Sequence, residues 1–184
     1  MPEKKKTKAK AEERITEEIK ETPKQPPYKV LFLASECVPF VKTGGLADVI
    51  GALPKELKRQ GVDVRVMIPL YSAIGPKYRE QMTRICEFYV QLGWRSQYCG
   101  ILYMEYQGVP VYFIDNEYYF GRGYIYGQSN SDEGERFAFF SKAALEAMPR
   151  IGFYPDVLHA HDWQAAMSIA PVSYTHLRAH ETRH

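Results

Sequence analysis

Cysteine is scarce in this chain of 184 residues: only Cys37, Cys86 and Cys99 occur, an odd number at wide spacing. No CxxC pair and no Cys/His alternation at zinc spacing accompanies them, which argues against a disulfide framework or a structural metal. A reducing compartment, the cytoplasm, is the expected setting. The opening stretch MPEKKKTKAKAEERITEEIKE lacks the apolar centre of a secretory leader. No apolar run approaches the length needed to span a bilayer. An excess of one charge is missing too. The 24 Lys and Arg against 22 Asp and Glu leave a formal charge of +2, so neither nucleic acid nor a membrane surface is expected as a partner. Two phosphate-binding signatures are also absent, the GxxxxGK[ST] loop and the GxGxxG dinucleotide fingerprint.

What is present suits one globular domain. The length is enough to bury a core, and apolar residues at 45% with charged residues at 25% are ordinary for a water-soluble fold. The 14 tyrosines fit a sugar-handling surface, but equally a core or an interface. Residues 1–27 are rich in Lys and Glu and close on ETPKQPP. They are expected to be a solvated tail, because they hold too little apolar surface to offset ordering entropy. At the other end, VSYTHLRAHET within residues 172–184 resembles the translation of a transposon-derived sequencing adaptor. We therefore expect this stretch to be foreign to the fold, and its His176, His180 and His184 to be no metal site despite their i,i+4 spacing.

Between these ends, residues 28–171 read as alternating strands and helices. The near-continuous apolar run YKVLFLAS suits a buried parallel strand. The next segment, ADVIGALPKELKRQ, has helical spacing at Val49, Ile50, Leu53 and Leu57, with Gly61 as a stop. Pro54 inside it predicts a kink or a late restart. VDVRVMIP is a second strand, completing a βαβ unit with a right-handed crossover. Strands are expected at 84–92, 98–106 and 109–114, the last two joined as a hairpin by Gln107-Gly108. A loop spans GRGYIYGQSNS, a helix follows from Glu133 to Met148, and a strand over 157–161 leads into a helix near Trp163. This alternation predicts an α/β class, a Rossmann-like doubly wound, mostly parallel sheet.

In such sheets ligands sit beyond the carboxyl ends of strands, and two motifs fall there. PFVKTGGL follows the first strand. Its paired glycines and a helix start offer amide donors to an anion, and Lys42 adds a positive charge. A plain structural turn accounts for the same residues. HAHDWQ follows the last strand, with His159 and His161 on one side of an extended segment and Asp162 placed to cap the next helix. These side chains suit metal ligation, acid–base work, hydrogen bonding to a sugar hydroxyl, or simple packing.

Three segments together carry a family resemblance. KVLFLASECVPFVKTGGLADVIGALPKELKRQGVDVRVMIPLY resembles the start of bacterial glycogen synthases and plant starch synthases, the retaining glycosyltransferase family 5. SDEGERFAFFSKAALE and PDVLHAHDWQAAM resemble their later motifs, in the same order. The resemblance implies the incomplete amino-terminal domain of a GT-B enzyme. That enzyme would move glucose from ADP-glucose to the non-reducing end of an α-1,4-glucan such as glycogen, without a metal or other cofactor. It further implies that Lys42 contacts the donor phosphates and that Gly44 and Gly45 let the backbone approach the donor. By the same resemblance, His161 bonds the donor glucose or the reacting region and Asp132 helps hold the acceptor. Asp132-Glu133 stands where family members often carry Asp-Asn. Glu36 is open to two readings, acceptor hydroxyls or loop hydrogen bonds. The alternative to an enzyme fragment is a non-catalytic glucan-binding or regulatory module of the same fold.

Overall fold

A computed structural model describes residues 27–127 and 132–170. The charged tail lies outside the described residues except for Pro27, and the adaptor-like stretch with its three histidines lies outside them altogether. Six strands form one sheet: β1 (Lys29–Leu33), β2 (Asp63–Pro69), β3 (Thr83–Leu92), β4 (Arg95–Tyr106), β5 (Val109–Asp115) and β6 (Val157–Ala160). The helices are α1 (Gly45–Arg59), α2 (Pro76–Arg79), α3 (Glu117–Phe120), α4 (Glu133–Arg150) and α5 (Asp162–Ala166).

The strand order is β3-β4-β5-β2-β1-β6. β5, β2, β1 and β6 run parallel, and β3 and β4 extend one edge antiparallel. The crossover β1–α1–β2 steps one way along the sheet, whereas β5–α4–β6 steps the other way. Right-handed crossovers in opposite directions place α1 and α4 on opposite faces, which is the doubly wound arrangement. Strand order reverses between β1 and β6, so the ligand crevice of such a sheet lies at their carboxyl ends.

Burial on both faces explains why β1 reads as an unbroken apolar run: Leu31, Phe32 and Leu33 are inaccessible to solvent. The hairpin turn has positive φ at Gln107 and Gly108, 50° and 81°, the backbone that a two-residue turn between twisted strands requires. Helix α1 is one continuous helix through Pro54, which is buried, so the late restart does not occur. It departs from expectation in its buried face. Its buried stripe is Ala47, Ile50, Gly51 and Pro54, while Val49 and Leu53 are 47% and 36% exposed. The cause is close approach at Gly51, where an added Cβ would stand 2.2 Å from Val38 Cγ2. The smallest residue seats the helix, and the larger side chains on either side of it turn outward. Helix α4 continues to Arg150, two residues past the expected Met148, and the chain turns away at Gly152 with φ 64°.

Candidate functional site

The β6 side of the crevice is built on Phe32. Its ring lies 4.7 Å from that of His159 and 5.3 Å from that of His161, nearly parallel to the latter at 17°. The two imidazoles are 4.2 Å apart, on one side of the strand as period two requires. The His161 backbone N–H donates to the Leu33 carbonyl at 2.9 Å, tying the end of β6 to β1. The Nε2 atom of His161 is buried and meets no hydrogen-bond partner. Burial, helped by His159, lowers the His161 pKa below its ordinary 6.5, and Asp162 opposes this only in part. A neutral ring therefore presents one unsatisfied nitrogen. Asp162 does not cap the following helix. His161 occupies the N-cap, and Asp162 enters the first turn at φ 59° with no side-chain cap bond formed. Asp tolerates this left-handed backbone better than most residues.

The β1 side holds the KTGGL loop. Lys42 Nζ lies 2.7 Å from both carboxylate oxygens of Asp48, in the first turn of α1. Glu36, only 3% exposed, sits beneath the loop. Its carboxylate accepts the Thr43 amide, the Thr43 hydroxyl at 2.6 Å and the Gly44 amide at 3.2 Å. The Tyr126 hydroxyl donates to it at 2.5 Å and lies 2.8 Å from Ser35 Oγ. Burial opposes ionisation of Glu36, but the bonds from Thr43, Tyr126 and Gly44 outweigh it and hold the carboxyl below its ordinary 4.5. The Gly44 amide, which the sequence offered to an anion, thus already faces a protein carboxylate. Of the two readings of Glu36, the loop bonds are the ones formed.

Gly44 and Gly45 remain informative. A Cβ at either would meet nothing within 4 Å, and Gly44 has an extended backbone at φ −147° that any residue adopts. Neither the chain's packing nor its backbone there calls for glycine. Their missing side chains leave clear space on the outer side of the loop.

Asp132 is the N-cap of α4 and pairs with Arg122 at 2.5 Å, which holds the carboxyl below its ordinary 3.8. Arg136, one turn into the helix, is wholly inaccessible to solvent. It donates to the carbonyls of Tyr119 at 2.7 Å, Ile125 at 2.8 Å and Tyr124 at 3.4 Å, and to Glu133 at 2.7 Å. The guanidinium also lies 5.3–5.8 Å from the ring centroids of Tyr71, Phe120, Tyr124 and Phe137.

Tyr126, Arg122 and Arg136 were not singled out from the sequence. Tyr126 stood in a segment read only as a loop. Arg136 had a signal, a charge at i−4 and i−7 from the apolar positions Phe140 and Ala143 of one buried stripe. Among the described residues no three His, Cys, Asp or Glu converge as a metal site, and no helix is long and apolar enough to cross a membrane.

Comparison with known proteins places this geometry. The family model for the starch synthase catalytic domain matches residues 29–183. A glycogen synthase of Anoxybacillus flavithermus is 58% identical over 139 residues, which are 76% of this chain and 28% of that protein. One from Desulforamulus reducens is 59% identical over the same length and shares of the two chains. The chain therefore spans little more than a quarter of these relatives. Among solved structures, the catalytic domain of starch synthase IV from Arabidopsis thaliana, bound to ADP and acarbose, superposes with a TM-score of 0.71. The identity is 31%, over 82% of this chain and 30% of that one. With the glycine-loop and histidine motifs at the switch point of a doubly wound sheet, the chain belongs to the starch synthase catalytic domain family of glycosyltransferases.

Proposed function

We propose that this chain forms one wall of the active site of an ADP-glucose-dependent glycogen synthase, which extends the non-reducing end of an α-1,4-glucan with retention of configuration. The observation that carries this reading is the pairing of an open glycine loop bearing Lys42 with the buried, unsatisfied Nε2 of His161, at the ends of adjacent strands. The relatives named glycogen synthase support the activity, and the neighbour bound to ADP and acarbose supports a nucleotide and a glucan-like ligand.

In this reading the donor diphosphate lies along the clear side of Gly44 and Gly45. Lys42 leaves Asp48 for it, an exchange of one exposed ion pair for a less hydrated one. An exposed pair is worth only about 0–1 kcal/mol, so little opposes the move. As the glycosidic bond to ADP breaks, negative charge grows on the phosphate, and a fixed lysine stabilises that charge more than the ground state. The neutral His161 ring gives Nε2 a hydrogen bond to the donor glucose without adding a charge of its own. Asp132, held by Arg122, is directed to hydroxyls of the acceptor glucan. The rest of the nucleotide site belongs to the portion of the relatives that this chain does not span, and a cytoplasmic setting goes with the same reading.

The test is glucose transfer from ADP-glucose to glycogen by the full-length protein and its Lys42→Ala variant. The variant should raise the KM for ADP-glucose by about ten-fold or more, the scale of one lost charge-assisted hydrogen bond. An unchanged KM and rate refutes the role given to Lys42. Glycogen binding without any transfer by the full-length protein favours a non-catalytic glucan-binding module instead.

A further inference from the structure

Two loops far apart in sequence share one buried carboxylate. On one side Glu36 accepts the amides of Thr43 and Gly44 and the Thr43 hydroxyl. On the other it accepts the hydroxyl of Tyr126. The segment carrying Tyr126 is itself pinned, because Arg136 holds the carbonyls of Tyr119, Tyr124 and Ile125 on one guanidinium. Glu133 completes the clamp. It pairs with Arg136, and its Oε1 would stand 3.0 Å from a Cβ at Gly127, directly after Tyr126. Arg122, from the same segment, pairs with Asp132 at the head of α4. A continuous path of hydrogen bonds therefore runs from the start of α4, through residues 119–127, to the loop that presents Lys42.

We propose that Tyr126 is a positioning residue whose bond to Glu36 couples the segment that holds Asp132, the residue given to the acceptor, to the donor loop, so that ligand on one side alters affinity on the other. The inference rests on the functional reading above. Its physical basis is that Glu36 is buried and ionised, so its orientation follows the donors available to it. Thr43 and Gly44 are two of the three residues that supply those donors, and Thr43 is the neighbour of Lys42. If Tyr126 moves with its segment, the carboxylate and the loop amides move with it. Linkage makes the effect reciprocal. Ser35 offers a contrast, since it touches the Tyr126 hydroxyl but no part of the donor loop.

Calorimetric titration of the full-length protein with ADP, with and without saturating maltoheptaose, reads the coupling without needing turnover. The wild type should change its Kd for ADP by about five-fold or more when maltoheptaose is bound. Tyr126→Phe keeps the ring and removes the hydroxyl. It should weaken ADP binding about ten-fold and bring the maltoheptaose factor close to one. Ser35→Ala should keep the wild-type factor. A wild-type Kd indifferent to maltoheptaose overturns the proposal, as does a Tyr126→Phe protein that retains the wild-type factor, or a Ser35→Ala protein that loses it equally. Should Tyr126→Phe fail to fold, Glu36→Ala applies the same test by removing the shared group from the other side, with the same loss expected and a retained factor again decisive against coupling. Transfer from ADP-glucose, assayed on the same wild-type preparation, tests the functional reading separately.

Discussion

Lys42 and Asp48 hold one another: the ammonium nitrogen lies 2.7 Å from both carboxylate oxygens, and the two side chains are 52% and 57% exposed. The cation suited to a diphosphate is thus already paired, by a partner that solvent reaches freely. Exposure makes this a weak restraint on Lys42.

Folding and donor use should therefore separate at this position. In the full-length protein, Lys42→Ala should change unfolding free energy by less than about 1 kcal/mol, since an exposed pair contributes no more. Urea denaturation followed by circular dichroism measures this beside the loss of ADP-glucose affinity. A large drop in stability would mean that the pair is structural.

Two glycines give opposite expectations. Gly44→Ala places a methyl group in open space on an ordinary backbone, so stability should hold while the KM for ADP-glucose rises. Gly51→Ala drives a methyl group to 2.2 Å from Val38 Cγ2 at the seat of α1. Overpacking of this kind costs about 1–3 kcal/mol, partly offset by the better helix propensity of Ala. Thermal midpoints of the two variants, measured together, check the contrast.

Arg136 should be the most costly single truncation among the residues that hold the segment over 119–127. Arg136→Met keeps much of the apolar stem but leaves Glu133 without its partner and strands the carbonyls of Tyr119, Tyr124 and Ile125. Breaking a buried pair from one side costs about 3–5 kcal/mol. Equilibrium unfolding in urea should show that loss, and Arg136→Met with Glu133→Gln should recover part of it.

The depressed pKa of His161 makes a signed prediction for acid. The folded state disfavours the proton, so below the ordinary value of 6.5 the unfolded chain binds it first. Stability from the neutral ring is therefore complete above about pH 6.5 and is lost as pH falls from there through the folded-state value. His161→Gln cannot titrate. The urea midpoint of the wild type should fall more between pH 7.5 and pH 5 than that of the variant, by the two curves measured in parallel. Equal slopes would place the His161 ring in water.

Local pattern alone settled the order and kind of the main elements. Runs such as KVLFLAS suit strands covered on both faces, and Gln107-Gly108 suits a tight turn between two strands that alternate. The motifs at Lys42–Leu46 and His159–Trp163 were legible because strand ends in such sheets are where ligands bind, and because a resemblance to one family runs through both. The tertiary structure decided what local spacing does not encode. The stripe of α1 depends on how near Gly51 comes to Val38, a distance set by packing and not by period. The partner of Glu36 stands 90 residues away at Tyr126, so no motif contains both. Lys42 and Asp48 lie only six residues apart in one motif, yet their pairing appears only once α1 forms and carries Asp48 in its first turn. Hydrogen bonds and close packing act over a few ångströms of space, and only the folded chain says which residues that space contains.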